Sequence, residues 1–317
     1  MLTPKSFLSP GLWMYTHEFG HGNQLAQMSG AGWTEVTNNL YGSYAQYMLR
    51  NYPSSSGYLG VEHEAWKRPG ASLALVGGRI NAFINESVIE HKTYFTQQAN
   101  IPTEIPPVWS YKPLTILVPL WQLTVYFMVT DIKPDFWPDV HWAAINNNKD
   151  YDPGRRYVNF MKRAIDASGM NMCTFFEYMG LLREIDMKIA DYGTYTVKIT
   201  KEMVDEVKRY GEGKPLVPEG MIYASINSAD AFKYKRDVEG TFNSGFTKGT
   251  DFITVDHDVW KNVVAFETYN GEKMTDVCIV GTGDIKGKTT RVDYPAGATR
   301  VEAVGWDGKR TLVIGTR

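Results

Sequence analysis

One pentapeptide constrains this chain more than any other stretch: His17-Glu18-Phe19-Gly20-His21, an instance of HExxH. Residues four apart on a helix lie one turn above each other on the same face. A helix here therefore points two imidazoles, those of His17 and His21, at one ion. Glu18 falls about 100° around the helix, within reach of a ligand of that ion. Zinc suits such a site, because it accepts neutral imidazole nitrogen and needs only three protein ligands when a fourth position stays open for water. With 6 histidines in 317 residues, chance gives the pattern on the order of 0.006 times per chain. The competing reading is a solvated helix with two incidental histidines. A third ligand decides between them.

The flanking residues supply that ligand. Ser9-Pro10-Gly11 combines an N-cap hydroxyl with proline at the first helical position, which predicts a helix through Leu12 and the motif to about Met28. Ser29-Gly30-Ala31-Gly32 stops it, with glycine supplying the left-handed turn. A second helix is predicted from Trp33-Thr34-Glu35 to about Arg50, where Asn51-Tyr52-Pro53 ends it. Val36, Leu40, Ser43, Tyr44 and Tyr47 give it a packing stripe. Two helices joined by so short a turn pack as antiparallel neighbours. Glu35, in the first turn of the second helix, is thereby brought back toward the histidines to complete a His-His-Glu set. An acid favoured by the helix dipole is the plainer account of Glu35, and the two are compatible. In a formed site the ligand atoms converge to roughly 4 Å of one another. Glu62, His63 and Glu64 make a second cluster without HExxH spacing, read as a polar loop or helix edge.

A chain of 317 residues exceeds the size at which single cores stop growing, so two domains are expected. A hydrophobic content of 43% with 21% charged residues is that of an ordinary globular protein. The net charge of −2 gives no polyanion-binding surface, so nucleic acid is not an expected partner. The 9 Trp and 19 Tyr suit sugar stacking or cores, and core filling accounts for most of them. Cys173 and Cys278 show no metal-ligand spacing and do not fix a redox compartment. Met1-Leu2-Thr3-Pro4-Lys5 lacks the basic and apolar regions of a signal peptide. The most apolar run, Leu114 to Val129, contains Pro119 and Gln122 and is too short for a membrane span, so it reads as a buried helix and no transmembrane segment is expected.

Beyond the second helix the pattern stays helical. Arg155–Ala167 carries Tyr157, Phe160, Met161 and Ala164 at helical spacing. Asn171 is the expected cap of a helix through Tyr178, and Thr200 that of another to Tyr210. Around Gly211-Glu212-Gly213-Lys214-Pro215 the character changes to short β-rich runs near residues 252, 263, 277, 299 and 311. Asn270-Gly271 and Asp307-Gly308 are hairpin signals between them. The fold expected is therefore multidomain α+β: a mainly helical domain over 1–215 and a small all-β sandwich of the immunoglobulin-like kind over 216–317. No sugar-binding aromatic platform is readable in the latter, and Trp260 and Trp306 are as readily core residues as sugar contacts.

His17-Glu18-Phe19-Gly20-His21-Gly22-Asn23-Gln24, followed by Glu35-Val36-Thr37-Asn38-Asn39, resembles the enhancin-like and mucin-degrading metallopeptidases of the gluzincin clan, the peptidase family M60. Their pattern is HE-x-G-H, a glutamine soon after, and E-V-T-x-N on the next helix. Leu120-Trp121-Gln122-Leu123 resembles their buried helix, and Phe175-Phe176-Glu177-Tyr178-Met179-Gly180-Leu181 their FFExxGL stretch. The likeness covers most of residues 10 to 190. It implies a zinc endopeptidase with His17, His21 and Glu35 as ligands and Glu18 as the base that activates a zinc-bound water. It implies secreted or cell-surface action on O-glycosylated, mucin-like proteins. An oxyanion donor is also expected; Tyr41, Tyr44 and Tyr94 are among many candidates, and the sequence does not choose, nor does it mark substrate contacts.

Members of that family carry a β-rich subdomain before the zinc helix, and only about a dozen residues precede the motif here. The chain is then expected to be the C-terminal part of a longer peptidase or a shortened homologue. A catalytically idle glycan- or protein-binding homologue that uses its β module is the alternative function.

Overall fold

The protein is described here by a computed structural model over residues 12–49, 78–95, 116–146, 152–284 and 286–316. Its helices are α1 (Leu12–Asn23), α2 (Thr34–Leu49), α3 (Gly78–Ile84), α4 (Val118–Thr124), α5 (Phe136–Asn146), α6 (Pro153–Ser168) and α7 (Cys173–Tyr178), then α8 (Lys201–Gly211) and α9 (Ala229–Tyr234). Single π-helical turns, Asn85–Ile89 and Val125–Val129, continue α3 and α4. The strands are β1 (Ile185–Ala190), β2 (Thr194–Ile199), β3 (Phe246–Lys248), β4 (Phe252–Asp256), β5 (Ala265–Asn270), β6 (Lys273–Ile279), β7 (Thr289–Asp293), β8 (Arg300–Val304) and β9 (Arg310–Gly315). They divide between two compact units, one built from 1–61, 93–121 and 135–216, the other from 62–92, 122–134 and 217–317.

The first unit is helical with one antiparallel hairpin, β1 against β2. Helix α6 is its spine. Asp152 accepts from the Arg155 amide, Pro153 follows at the first helical position, and Gly169 closes the other end in the left-handed region. Its inward face carries Tyr157, Phe160, Met161 and Ala164, all buried. A Cβ at Gly154 would lie 1.8 Å from the Lys198 carbonyl, so glycine is what lets α6 press directly on β2. Trp33, at the head of α2, packs edge-on against Tyr157 and Phe160 and donates its indole N–H to Tyr94. The helix bearing Glu35 is thus anchored to the spine.

Helix α1 ends at Asn23, five residues before the predicted stop, and a short 3-10 turn, Ala26–Met28, follows. The Asn23 side chain donates to the Phe19 carbonyl and satisfies one terminal acceptor. Leaving the helix frees the Gln24 side chain for the work described below. The Ser9–Gly11 start signal and the Asn51–Pro53 stop lie outside the described residues. Helix α5 and the β1–β2 hairpin are elements that the sequence reading did not identify.

In the second unit seven strands form two antiparallel sheets, in order β3-β4-β7 and β6-β5-β8-β9. Ile253, Val255, Trp260, Phe266, Val292, Val301 and Val313 share one buried cluster between them. Asn270-Gly271 and Asp307-Gly308 sit at the β5–β6 and β8–β9 turns, with both glycines at positive φ. The α3 region covers the edge strand β6 by imitation of a strand: the Asn85 amide donates to the Val277 carbonyl and accepts its N–H, at 2.8 and 2.9 Å. Leu120, Trp121, Gln122 and Leu123 are buried, as expected of that run. Both cysteines are free and buried. Among the described residues no helix is long and apolar enough to cross a membrane.

Candidate metal centre

Helices α1 and α2 approach each other closely. The contact point is Gly20: a Cβ there would lie 2.6 Å from the Asn38 carbonyl oxygen. Glycine at the fourth position of HEFGH is what allows the approach. His17, about one turn before Gly20, and His21, the residue after it, face the first turn of α2. Glu35 Oε2 lies 3.3 Å from His17 Nε2 and 3.4 Å from His21 Nε2, and ligand atoms of all three residues fall within 4.8 Å of one another. The imidazoles meet edge to face with centroids 4.8 Å apart.

Amide partners fix which ring nitrogen carries the proton. Gln24 gives its N–H bonds to the Thr34 carbonyl (2.7 Å) and Thr37 Oγ1 (2.8 Å), so its Oε1 faces His21 Nδ1 at 3.0 Å. Asn39 gives its N–H to the Glu35 carbonyl, so its Oδ1 faces His17 Nδ1 at 2.8 Å. An amide oxygen only accepts, which assigns the His21 proton to Nδ1; at His17 the Asn39 oxygen at 2.8 Å favours the same tautomer over the Asn38 Nδ2 donor at 3.1 Å. The Asn38 Nδ2 donor lies among the rings, 3.1 and 3.2 Å from His17 Nδ1 and Nε2 and 3.0 Å from His21 Nε2.

Two nitrogen lone pairs and a carboxylate oxygen converge here, all acceptors. Such a set calls for a cation. In a tetrahedral zinc site with bonds of about 2.0–2.1 Å, neighbouring ligand atoms are separated by about 3.3–3.4 Å. The two His–Glu separations match that edge, whereas the histidine–histidine separation, up to 4.8 Å, is wider than the roughly 4 Å expected and would have to close around an ion. The donor set, two neutral imidazoles backed by amide oxygens and one carboxylate, is the kind zinc takes. Glu18 stands on the open side, its side chain 69% exposed and Oε1 4.0 Å from His17 Nε2.

The remaining carboxylate oxygen is held from far along the chain. Tyr192, in the β1–β2 turn, donates its hydroxyl to Glu35 Oε1 at 2.6 Å. Its neighbour Asp191 accepts from the Gly32 amide (2.7 Å), the Thr34 amide (3.2 Å) and Thr34 Oγ1 (2.9 Å), capping α2. The bond to Glu35 is the first cause, ahead of desolvation and nearby carboxylates, that pushes the Tyr192 phenol up to about 12. It therefore stays a donor throughout the neutral range.

Among the tyrosines proposed from sequence, Tyr94 is buried and occupied by Trp33, Tyr44 stacks on Tyr47, and Tyr41 donates to His141 Nε2 at 2.8 Å. The His141 proton is fixed on Nδ1 by the Trp137 carbonyl, and burial lowers its pKa. The Glu62–Glu64 cluster lies outside the described residues. Gln24 and Asn39 were legible as words of a pattern but not as tautomer-setting partners. Asp191 and Tyr192 were missed; the turn tripeptide Asp191-Tyr192-Gly193 signals a hairpin but not what it docks on.

Two solved structures share the fold: a metallopeptidase in complex with Tn antigen (21% identity, TM-score 0.62, covering 98% of this chain and 54% of that one), and a metallopeptidase from Bacteroides thetaiotaomicron (21%, 0.60, 95% and 49%). The chain spans about half the length of the solved structures it matches. No curated protein matches it. Residues 1–180, more than half of the chain and the part that carries HEFGH, Gln24, Glu35 and Asn39, match the family described as peptidase M60, enhancin and enhancin-like, and the chain belongs to that family.

Proposed function

We propose that this chain is the metal-bearing part of a zinc endopeptidase of the gluzincin type that cleaves O-glycosylated, mucin-like proteins. The observation that carries the reading is the convergence of two Nε2 lone pairs on one oxygen of Glu35. His17, His21 and Glu35 would hold the ion. Zinc, when bound, supplies a Lewis acid that polarises a scissile carbonyl and lets water attack near neutral pH. Glu18 takes the proton of the attacking water and passes it to the leaving amine. Its exposure leaves room for a peptide beside it. Gln24 and Asn39 keep both imidazoles in the tautomer that can ligate.

Membership of the M60 family supports peptidase action, and the fold neighbour bound to Tn antigen supports a glycoprotein substrate. Substrates of that class lie outside the cell, so we assign action there, in secreted or surface-bound form. We keep 1–215 as the peptidase portion and 216–317 as an accessory module; the strand order β3-β4-β7 with β6-β5-β8-β9 supports an immunoglobulin-like reading of the module, with the fourth strand moved to the second sheet.

Metal analysis of the purified protein, beside cleavage of a mucin-type glycoprotein, tests the proposal. One zinc per chain is expected in both wild type and Glu18→Gln, with cleavage reduced about 10²–10⁴-fold in the variant. Zinc should be released toward acidic pH as protons compete for the imidazoles. No bound zinc at neutral pH would sink the metal centre, and zinc without cleavage by the unaltered protein would favour the idle binding homologue.

A further inference from the structure

We propose that Tyr192 is a positioning residue for Glu35: its hydroxyl pins one carboxylate oxygen so that the other alone faces the two histidines. This rests on reading His17, His21 and Glu35 as a zinc site. The division of labour is already drawn in the carboxylate. Oε1 accepts from Tyr192 at 2.6 Å, and Oε2 lies 3.3 and 3.4 Å from the two Nε2 atoms. A glutamate that engaged an ion through both oxygens would occupy the position that a catalytic site keeps open. A donor on Oε1 prevents this.

Three further observations make the contact a built one. Tyr192 is 77% exposed, so burial of its ring does not bring it to Glu35. Its φ of 50° is in the left-handed region, which an aromatic residue adopts only when its surroundings hold it there. What holds it is close at hand: the Asp191 amide donates to the Gly193 carbonyl across the turn, and the Asp191 carboxylate takes three hydrogen bonds from Gly32 and Thr34. The hairpin tip is therefore fastened to the same helical turn that carries Glu35. Side chain and anchor act as a latch from residues 157 positions away.

Partners of this kind, one shell out from a metal, typically change its affinity 10–100-fold. The test uses the whole chain. Zinc affinity is measured by chelator competition for wild type, Tyr192→Phe and Asp191→Asn, with the melting temperature of each zinc-free protein, and with kcat and KM for glycoprotein cleavage at saturating zinc. Tyr192→Phe should bind zinc 10–100-fold more weakly, melt as wild type when zinc-free, and recover most of kcat when zinc is saturating. Asp191→Asn should weaken zinc in the same direction. Unchanged zinc affinity in Tyr192→Phe overturns the proposal; if kcat then falls at saturating zinc, Tyr192 serves the reacting carbonyl instead. Failure of wild type to bind zinc is a different result, because it removes the metal centre itself and this inference with it.

Discussion

Two carboxylates in this protein look alike in sequence and are opposite in kind. Glu267, on β5, has no exposed surface and is ringed by donors: the Tyr223 and Tyr269 hydroxyls at 2.8 and 2.6 Å, and Arg310 in a two-pronged pair at 3.0 and 3.1 Å. Its lone pairs are saturated by its own chain. Glu35 is half-buried, receives one hydroxyl on Oε1, and turns Oε2 toward two ring nitrogens that can only accept. The first is a structural anion that needs nothing further. The second keeps one oxygen free of donors from its own chain, as the proposed metal site requires. Burial alone does not separate a structural carboxylate from a candidate ligand; the sign of its neighbours does.

The contrast is most easily broken at Glu267. Glu267→Ala leaves two buried hydroxyls without their acceptor and takes from Arg310 its buried partner, with Glu219 at 2.8 Å as the carboxylate that remains to it. Thermal or denaturant unfolding should show a loss of about 3 kcal/mol, the low end for breaking a buried pair because Arg310 keeps Glu219, with zinc affinity untouched. A loss below about 1 kcal/mol would mean that water replaces the carboxylate and that the saturation has no energetic weight.

A smaller effect is expected at Gln24, which belongs to the other side of the comparison. Gln24→Ala removes the acceptor that holds the His21 proton on Nδ1. Chelator competition should find zinc bound about 10–100-fold more weakly, equivalent to about 1.4–2.8 kcal/mol. Equal affinity in the variant would show that the helix crossing alone orients His21.

Asp276 on β6 is the intermediate case and gives the smallest shift. Burial first, and the charge of Asp293 second, push its carboxyl up from 3.8 to about 6. A carboxyl raised in the native state binds its proton more tightly folded than unfolded. Stability is therefore fully present below 3.8, is lost as pH rises toward 6, and stays low above it. Asp276→Asn should stabilise the protein by about 1–2 kcal/mol at neutral pH and by nothing at a pH below the ordinary carboxylate range. A gain of the same size at both pH values would assign the effect to packing.

Legibility in the sequence followed chain distance. His17, His21 and Glu35 sit on adjacent helices whose spacing and stop signals are local, and Gly20, Gln24, Thr37 and Asn39 were visible as words of one pattern. The runs at 252, 263, 277, 299 and 311 correspond to β4, β5, β6, β8 and β9. Short β3 and the polar β7, with only Thr290 and Val292 buried, gave too little alternation to read. The β1–β2 hairpin did alternate, Ile185, Met187 and Ile189 against Asp186 and Lys188, yet a helical neighbourhood concealed it. No local signal says that its tip caps α2, or that Tyr223, Glu267 and Arg310 meet, since those encounters are set by tertiary packing.

The anchoring of α2 by Asp191 also has a meaning in time. His17 and Glu35 are 18 residues apart, whereas Tyr192 reaches Glu35 across 157. Closing the longer loop costs about 2 kcal/mol more chain entropy, and short-range encounters form sooner. During synthesis the helices bearing His17, His21 and Glu35 are complete once Leu49 has been made, while Asp191 and Tyr192 do not yet exist. Assembly of the centre is consequently a two-stage event. An early cradle gathers the ligand atoms, and a late clasp arrives with β1 and β2 to fix how tightly they hold.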